Sequence, residues 1–186
     1  MRATIYVGTS VDGFIARADG GVDFLEAGGP VEDDMGFADF MAGIDVMVMG
    51  RNTFDFVIDS GFDWPYGDTP VMVVTSRPVD LDPEVAAHIE TTSLGPEELA
   101  EELERRGHTH AYVDGGMTAQ SWLRAGLITD LVVTQVPVLV GDGIRLFGEL
   151  DHDLQLSFES SIVHPPGYVK VHWRVVGPWP GHEASN

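Results

Sequence analysis

An α/β fold built on a mostly parallel sheet is what this sequence predicts, and three observations predict it. Short apolar runs rich in Val, Ile, Tyr and Met recur along the chain without strict alternation, which is the pattern of strands covered on both faces. Helical patterns with recognisable start and stop signals lie between those runs. Near the end of the chain the pattern changes to two stretches of alternating apolar and polar residues around His164-Pro165-Pro166-Gly167, the mark of an antiparallel hairpin at a sheet edge.

In chain order, strands are expected over residues 3–8 (ATIYVG), 46–49, 71–74, 111–113 and 131–136. The segment 32–41 reads as a helix because Met35, Phe37, Phe40 and Met41 fall at mixed helical spacings. A second helix, 96–106, opens with Pro96 and Glu97 and stops at Gly107. A third, 117–125, carries Trp122 and Leu123 on a buried face and stops at Gly126. The hairpin strands are 154–163 and 168–176, and residues 177–186 (GPWPGHEASN) read as a loose tail after a single domain over 1–176.

The 186 residues contain no cysteine, which excludes disulfides, zinc-thiolate sites, iron–sulfur clusters and thiol nucleophiles. A formal net charge of −20 argues against sequence-independent binding to nucleic acid or an anionic membrane. No apolar run approaches the ~18 residues of a membrane span, and no signal peptide opens the chain, so the expectation is a cytoplasmic protein. Of the ten basic residues only Lys170 is a lysine. Any cluster of arginine and backbone donors is therefore a local exception to the surrounding field.

Such clusters follow the strands. In open parallel sheets ligands bind at the carboxyl ends of strands, and here those ends carry Gly50-Arg51-Asn52-Thr53, then Thr75-Ser76-Arg77, then Asp114-Gly115-Gly116 leading into a helix. A glycine pair at a helix start lets a phosphate approach free N–H groups, and arginine with threonine supplies a donor fork and a hydroxyl. Each corner alone also reads as a tight turn or an ion pair, but three in succession suit a dinucleotide with a diphosphate and a further ribose phosphate. The G-x-G-x-x-G and G-x-x-x-x-G-K-[ST] fingerprints are both missing. His108 and His110 form an H-x-H pair with no third ligand nearby, so no metal site is assigned. Asp12, Asp33 and Asp34 are the carboxylates placed to serve chemistry, and equally placed to serve a turn or a helix start.

The order of these motifs, S-x-D-G-x-I-A, M-G-R-x-T-F, T-S-R, D-G-G and P-V-L-V-G-D-G-I-R-L-F, resembles the dihydrofolate reductase fold. More narrowly, it resembles stand-alone relatives of the C-terminal reductase domain of the bifunctional riboflavin-biosynthesis deaminase-reductase. The resemblance spans residues 3–176 and implies a twisted, mostly parallel sheet of about eight strands, helices on both faces, NADPH as hydride donor and a homodimer. It implies cofactor-binding roles for Gly50, Arg51, Asn52 and Thr53 at the phosphates. Thr75, Ser76 and Arg77 are implied at the adenosine ribose and its 2′-phosphate, Gly115, Gly116, Met117 and Thr118 at the diphosphate, and Gly8 and Ile15 near the nicotinamide. Counting seventeen residues back from Arg51 implies Asp34 as the substrate-binding acid, with Asp33 one place away and Asp12 the other catalytic candidate.

The expected function is an NADPH-dependent reductase acting on a C=N or similar group of a pterin- or pyrimidine-like heterocycle. Phe37, Phe40 and Trp64 are candidates to line its pocket. The alternatives are reduction of a 5-amino-6-(5-phosphoribosylamino)uracil, with Arg17 near the first strand as phosphate partner, and a non-catalytic nucleotide-binding module. The riboflavin-type relatives carry a basic residue after the first D-G, where this chain has Phe14.

Overall fold

The computed structural model describes residues 1–31, 33–60, 64–79 and 86–180. Its elements run β1 (Arg2–Ser10), β2 (Phe14–Ala16), a 3-10 turn (Asp23–Glu26), α1 (Phe37–Met41), β3 (Val46–Gly50), α2 (Arg51–Asp59), β4 (Val71–Val74) and β5 (Ile89–Thr92). They continue with α3 (Pro96–Arg105), β6 (His110–Asp114), α4 (Gly116–Arg124), β7 (Asp130–Val136), β8 (Ile144–Arg145), β9 (Leu154–His164) and β10 (Tyr168–Pro178). Eight strands form one sheet in the order β5-β4-β3-β6-β1-β7-β10-β9, and β2 pairs with β8 in a separate ribbon. The pairs from β5 to β7 are parallel, while β10 runs antiparallel to both β7 and β9. This is the dihydrofolate reductase-like α/β fold.

Two cores explain the unalternating strands. Successive side chains leave a strand on opposite faces. In β3, Val46 and Val48 pack with Leu99 and Leu103 of α3 and Trp122 of α4, whereas Met47 and Met49 pack with Phe54 of α2, Tyr66 and Tyr112. Helices therefore cover both faces, and these four β3 residues are essentially fully buried.

Some elements differ from expectation. The helix read over 32–41 starts only at Phe37, with Glu32 outside the described residues. Asp33 accepts the Met35 N–H at 2.8 Å and Asp34 accepts those of Gly36 and Ala38, so side chains take the donors that an earlier helical turn needs. Met35 and Gly36 consequently stand at φ 52° and 80°. Gly177 and Pro178, read as tail, extend β10, and the Trp179 N–H reaches the Asp153 carbonyl at 2.8 Å; residues 181–186 lie outside the described residues. Helix α2, strand β5 and the β2–β8 ribbon were not expected, since α2 begins at Arg51 with no loop after β3 and the others are short. No helix among the described residues is long and apolar enough to cross a membrane.

Candidate active site

Two helices start side by side where β3 and β6, parallel neighbours, end. Gly50 caps α2 and Gly115 caps α4, and neither has a side chain to bond the free N–H groups of the first turn. Their packing leaves no room for a Cβ: one on Gly50 would lie 2.7 Å from Thr118 Oγ1, and one on Gly115 only 2.3 Å from Thr53 Oγ1. Gly115 also has φ 91°, a conformation that favours glycine. A Cβ on Gly116 would meet Ile15 Cδ1 at 3.0 Å. Gly50, Thr53, Gly115, Gly116, Thr118 and Ile15, expected separately from sequence, thus converge on one corner. Two unfilled helix starts aimed from adjacent strands form a positive corner suited to a diphosphate.

The remaining cofactor candidates spread around it. Arg51 is half committed: its Nε donates to Asp55 Oδ1 at 2.6 Å and its Nη1 to the Pro78 carbonyl at 2.8 Å, tying α2 to the segment after β4. There Thr75 Oγ1 accepts the Arg77 N–H at 3.0 Å, fixing a turn from which the exposed Arg77 side chain makes no ion pair among the described residues. Asn52 and Ser76 are exposed, and Met117 is 81% exposed beside the α4 start. Gly8 stands apart on β1, its face covered by Leu25, whose Cδ2 would lie 2.9 Å from a Cβ there.

Both expected acids accept backbone N–H groups. Asp34 is exposed, and the N–H groups of Ala38 and Gly36 hold its carboxyl below the usual carboxylate range. Asp12 is a clasp between loops: the Ser10 hydroxyl and the N–H groups of Gly141 and Val140 draw its carboxyl down to about 2. The turn and capping readings describe both residues. Arg17, the phosphate candidate, is tied to Asp23 by two hydrogen bonds, at 2.6 and 2.9 Å. His110 bridges Thr4 Oγ1 and the Gly43 carbonyl, and His108 faces Asp45, so the histidine pair has two separate structural partners.

The carboxyl group that sequence reasoning passed over is Asp114, last residue of β6 and neighbour of the α4 start. Its Oδ1 accepts the Gly115 N–H at 2.8 Å, yet burial pushes its carboxyl up to about 6. Tyr112 and Tyr66 lie beside it, and burial together with the Asp114 charge raises both phenols. Tyr112 donates to the Tyr6 carbonyl at 2.9 Å, while Phe40 stacks on Tyr6 with centroids 4.5 Å apart. Phe37 and Phe40 thereby serve the core under this floor, and Trp64 packs edge-on against Tyr66. The missed signal was a carboxylate one step beyond the buried run of residues 111–113, where solvation is weak.

A family model described as the RibD C-terminal domain matches residues 3–170. The chain belongs to the RibD C-terminal domain family. Among its relatives, YwjB of Bacillus subtilis (strain 168) is 27% identical over 161 residues, covering 86% of this chain and 90% of that one, and is named only as uncharacterized. YyaP of the same organism, also named as uncharacterized, is 25% identical over 185 residues, covering 92% and 95%. A solved structure from Shewanella sp. PV-4, whose name provisionally assigns it to riboflavin biosynthesis, is 32% identical with TM-score 0.87 over 94% of this chain and 99% of that one. The Thermotoga maritima deaminase/5-amino-6-(5-phosphoribosylamino)uracil reductase shares the fold at 12% identity and TM-score 0.68 over 94% of this chain and 56% of that one.

Within this RibD C-terminal fold a cation stands beside Phe14. Phe14 pairs with Arg145 across the β2–β8 ribbon, and the Arg145 guanidinium carbon stands 4.4 Å from the centre of the Phe14 ring.

Proposed function

We propose that the chain is an NADPH-dependent oxidoreductase of the riboflavin-type reductases, reducing a C=N or similar group of a pyrimidine-like heterocycle. The observation that carries this reading is the corner of two uncapped helix starts, pressed together at Gly50, Thr53, Gly115 and Thr118, with Asp114 at its edge. NADPH, when bound, supplies a hydride to the acceptor carbon. The protein's part is to seat the diphosphate on the free N–H groups of α2 and α4, to hold the 2′-phosphate with Arg77, and to exclude water.

Reduction of C=N also requires a proton at the nitrogen. Asp114 is the group suited to it, because a carboxyl near 6 is populated in both protonation states close to neutral pH. Asp34 and Asp12, held ionised by hydrogen bonds, suit anchoring better. This favours the pyrimidine-type acceptor over the folate-type one, whose acid was expected at Asp34. We also infer a homodimer through β9, an edge strand with Phe158 and Val163 exposed.

The test is a pair of fluorescence titrations with NADPH and NADH, followed by NADPH oxidation with dihydrofolate and with a ribosylaminouracil phosphate. The expected result is tighter binding of NADPH and turnover of the pyrimidine only. Binding of neither nucleotide overturns the proposal; tight binding with no turnover on any acceptor leaves a nucleotide-binding module.

A further inference from the structure

A glycine inside a strand weakens it and marks a place where a ligand or another chain segment comes close. Gly8 is such a residue. It lies within β1 and pairs in unbroken register with Thr134 of β7, and its φ is not among the positive ones, so the backbone itself does not call for glycine. What comes close is Leu25, whose Cδ2 would lie 2.9 Å from a Cβ on Gly8.

The face that Leu25 covers is the one that carries Asp114. Side chains alternate along a strand, so Gly8 shares the Tyr6 face of β1. Tyr6 packs with Tyr112 of the neighbouring β6, and Asp114 follows Tyr112 by two residues. Gly8 and Asp114 therefore present one face of the sheet, near the carboxyl ends of adjacent strands, where a glycine offers the flattest seat for a ring. A flat ring between Leu25 and Gly8 needs contact distances of about 3.5 to 4.0 Å on each side, and the two residues already touch. For a ring to reach Gly8, Leu25 must move.

The turn that carries Leu25 is built to allow it. Its N–H groups bond within the turn: Leu25 to the Val22 carbonyl at 2.9 Å, Ala27 to that of Phe24 at 3.0 Å and Gly29 to that of Glu26 at 2.8 Å. Among the described residues one group bonds it to the eight-stranded sheet. The Tyr168 hydroxyl of β10 reaches the Leu25 carbonyl at 3.1 Å and the Gly29 carbonyl at 2.9 Å, sharing a single proton between them. Gly20 and Gly29, at φ 90° and 92°, bracket the segment, and Phe24, 2% exposed, seats it while Leu25 is half-buried.

We propose that Leu25 is an autoinhibitory plug on Gly8, occupying the seat of a reacting ring, and that Tyr168 is the latch that holds it there. The proposal rests on the reductase reading above. Ring binding must pivot the turn away, so the apparent affinity for a ring-bearing ligand is reduced by the fraction of chains with the plug withdrawn.

The test uses the full chain and two nucleotides, NADPH and 2′-phospho-ADP-ribose, which carries the same phosphates without the nicotinamide ring. In calorimetric titration Leu25→Ala is expected to bind NADPH about tenfold more tightly than wild type, because the plugged state no longer competes. Tyr168→Phe, which keeps its ring against Gly28 and loses only the latch hydroxyl, is expected to gain about threefold. The ringless nucleotide is expected to bind all three proteins within about twofold, and stopped-flow mixing should place the NADPH gain in the association rate. Unchanged or weaker NADPH binding by Leu25→Ala overturns the plug, since a leucine that merely lines the site loses contacts on truncation. An equal gain for both nucleotides overturns its place at the ring, and an unchanged Tyr168→Phe overturns the latch. Failure of wild type and both variants to bind either nucleotide strikes the reductase reading instead, a result distinct from nucleotide binding that no variant improves.

Discussion

At the amino ends of β1, β6 and β7, Asp130 accepts from Arg2 at 2.9 and 3.1 Å, contacts His172 Nε2 at 2.7 Å and accepts the Thr129 hydroxyl at 2.8 Å. Asp45 takes the N–H and hydroxyl of Thr109 and the N–H of His110. At the carboxyl ends of β3 and β6, by contrast, two helices begin without capping side chains and Asp114 accepts the backbone N–H of Gly115. Both ends draw a carboxylate away from water, Asp130 fully and Asp114 in part, but with opposite results. Burial raises Asp130, and the hydrogen bonds from Arg2, His172 and Thr129 overcome it, bringing the carboxyl down to about 2; for Asp114 burial wins and the carboxyl rises to about 6. One end spends its hydrogen-bonding capacity on the fold, and the other leaves the first-turn N–H groups of two helices without a capping side chain.

The largest way to break this contrast is Asp114→Asn. It is expected to lower kcat about a hundredfold while NADPH affinity changes little, because the amide keeps the acceptor for Gly115 but cannot hold the transferable proton. Stopped-flow NADPH oxidation on an acceptor that wild type turns over checks this, and a variant as active as wild type removes Asp114 from the chemistry.

Asp130→Ala should do the reverse. Stability is expected to fall by about 2 to 3 kcal/mol in urea denaturation, since Arg2, His172 and Thr129 lose a shared buried acceptor, while nucleotide affinity stays constant. A loss of nucleotide binding without loss of stability would erase the division between the ends.

Arg77→Ala sharpens the reading of the carboxyl end. NADPH affinity is expected to fall about tenfold with NADH unaffected, and equal losses for both would sink the 2′-phosphate assignment.

The last contrast is the pH dependence of stability. The raised Asp114 favours the protonated folded state, so its contribution is complete below its ordinary value of 3.8 and lost as pH rises through about 6. Asp130 has the opposite sign, complete above 3.8 and lost as pH falls toward about 2. Thermal melts of Asp114→Asn against wild type should therefore diverge in favour of the variant between pH 4 and 7, and parallel curves would contradict the raised carboxyl.

The strands at 46–49, 71–74 and 111–113 were legible because burial on both faces leaves an unbroken apolar run. The glycine corners were legible for a similar reason: Gly115 must have no Cβ, whatever else surrounds it, because its φ is 91° and Thr53 occupies the space. Helix α2 was not legible, since Arg51, Asn52 and Thr53 read as a ligand-facing loop until the turn closes directly on Gly50. The first turn expected at 33–36 failed because Asp33 and Asp34 compete for the same N–H groups that a helix would use.

Pattern and spacing by themselves determined the alternation of strands and helices, the exclusion of thiol chemistry and the phosphate-compatible strand ends, because these follow from residue type and local backbone need. Which carboxylate is suited to handle a proton was decided by tertiary structure alone. Asp12, Asp34, Asp114 and Asp130 are the same residue type; their neighbours allot them hydrogen bonds or withhold water, and that allocation separates a loop clasp, a helix cap, a candidate acid and a structural anchor.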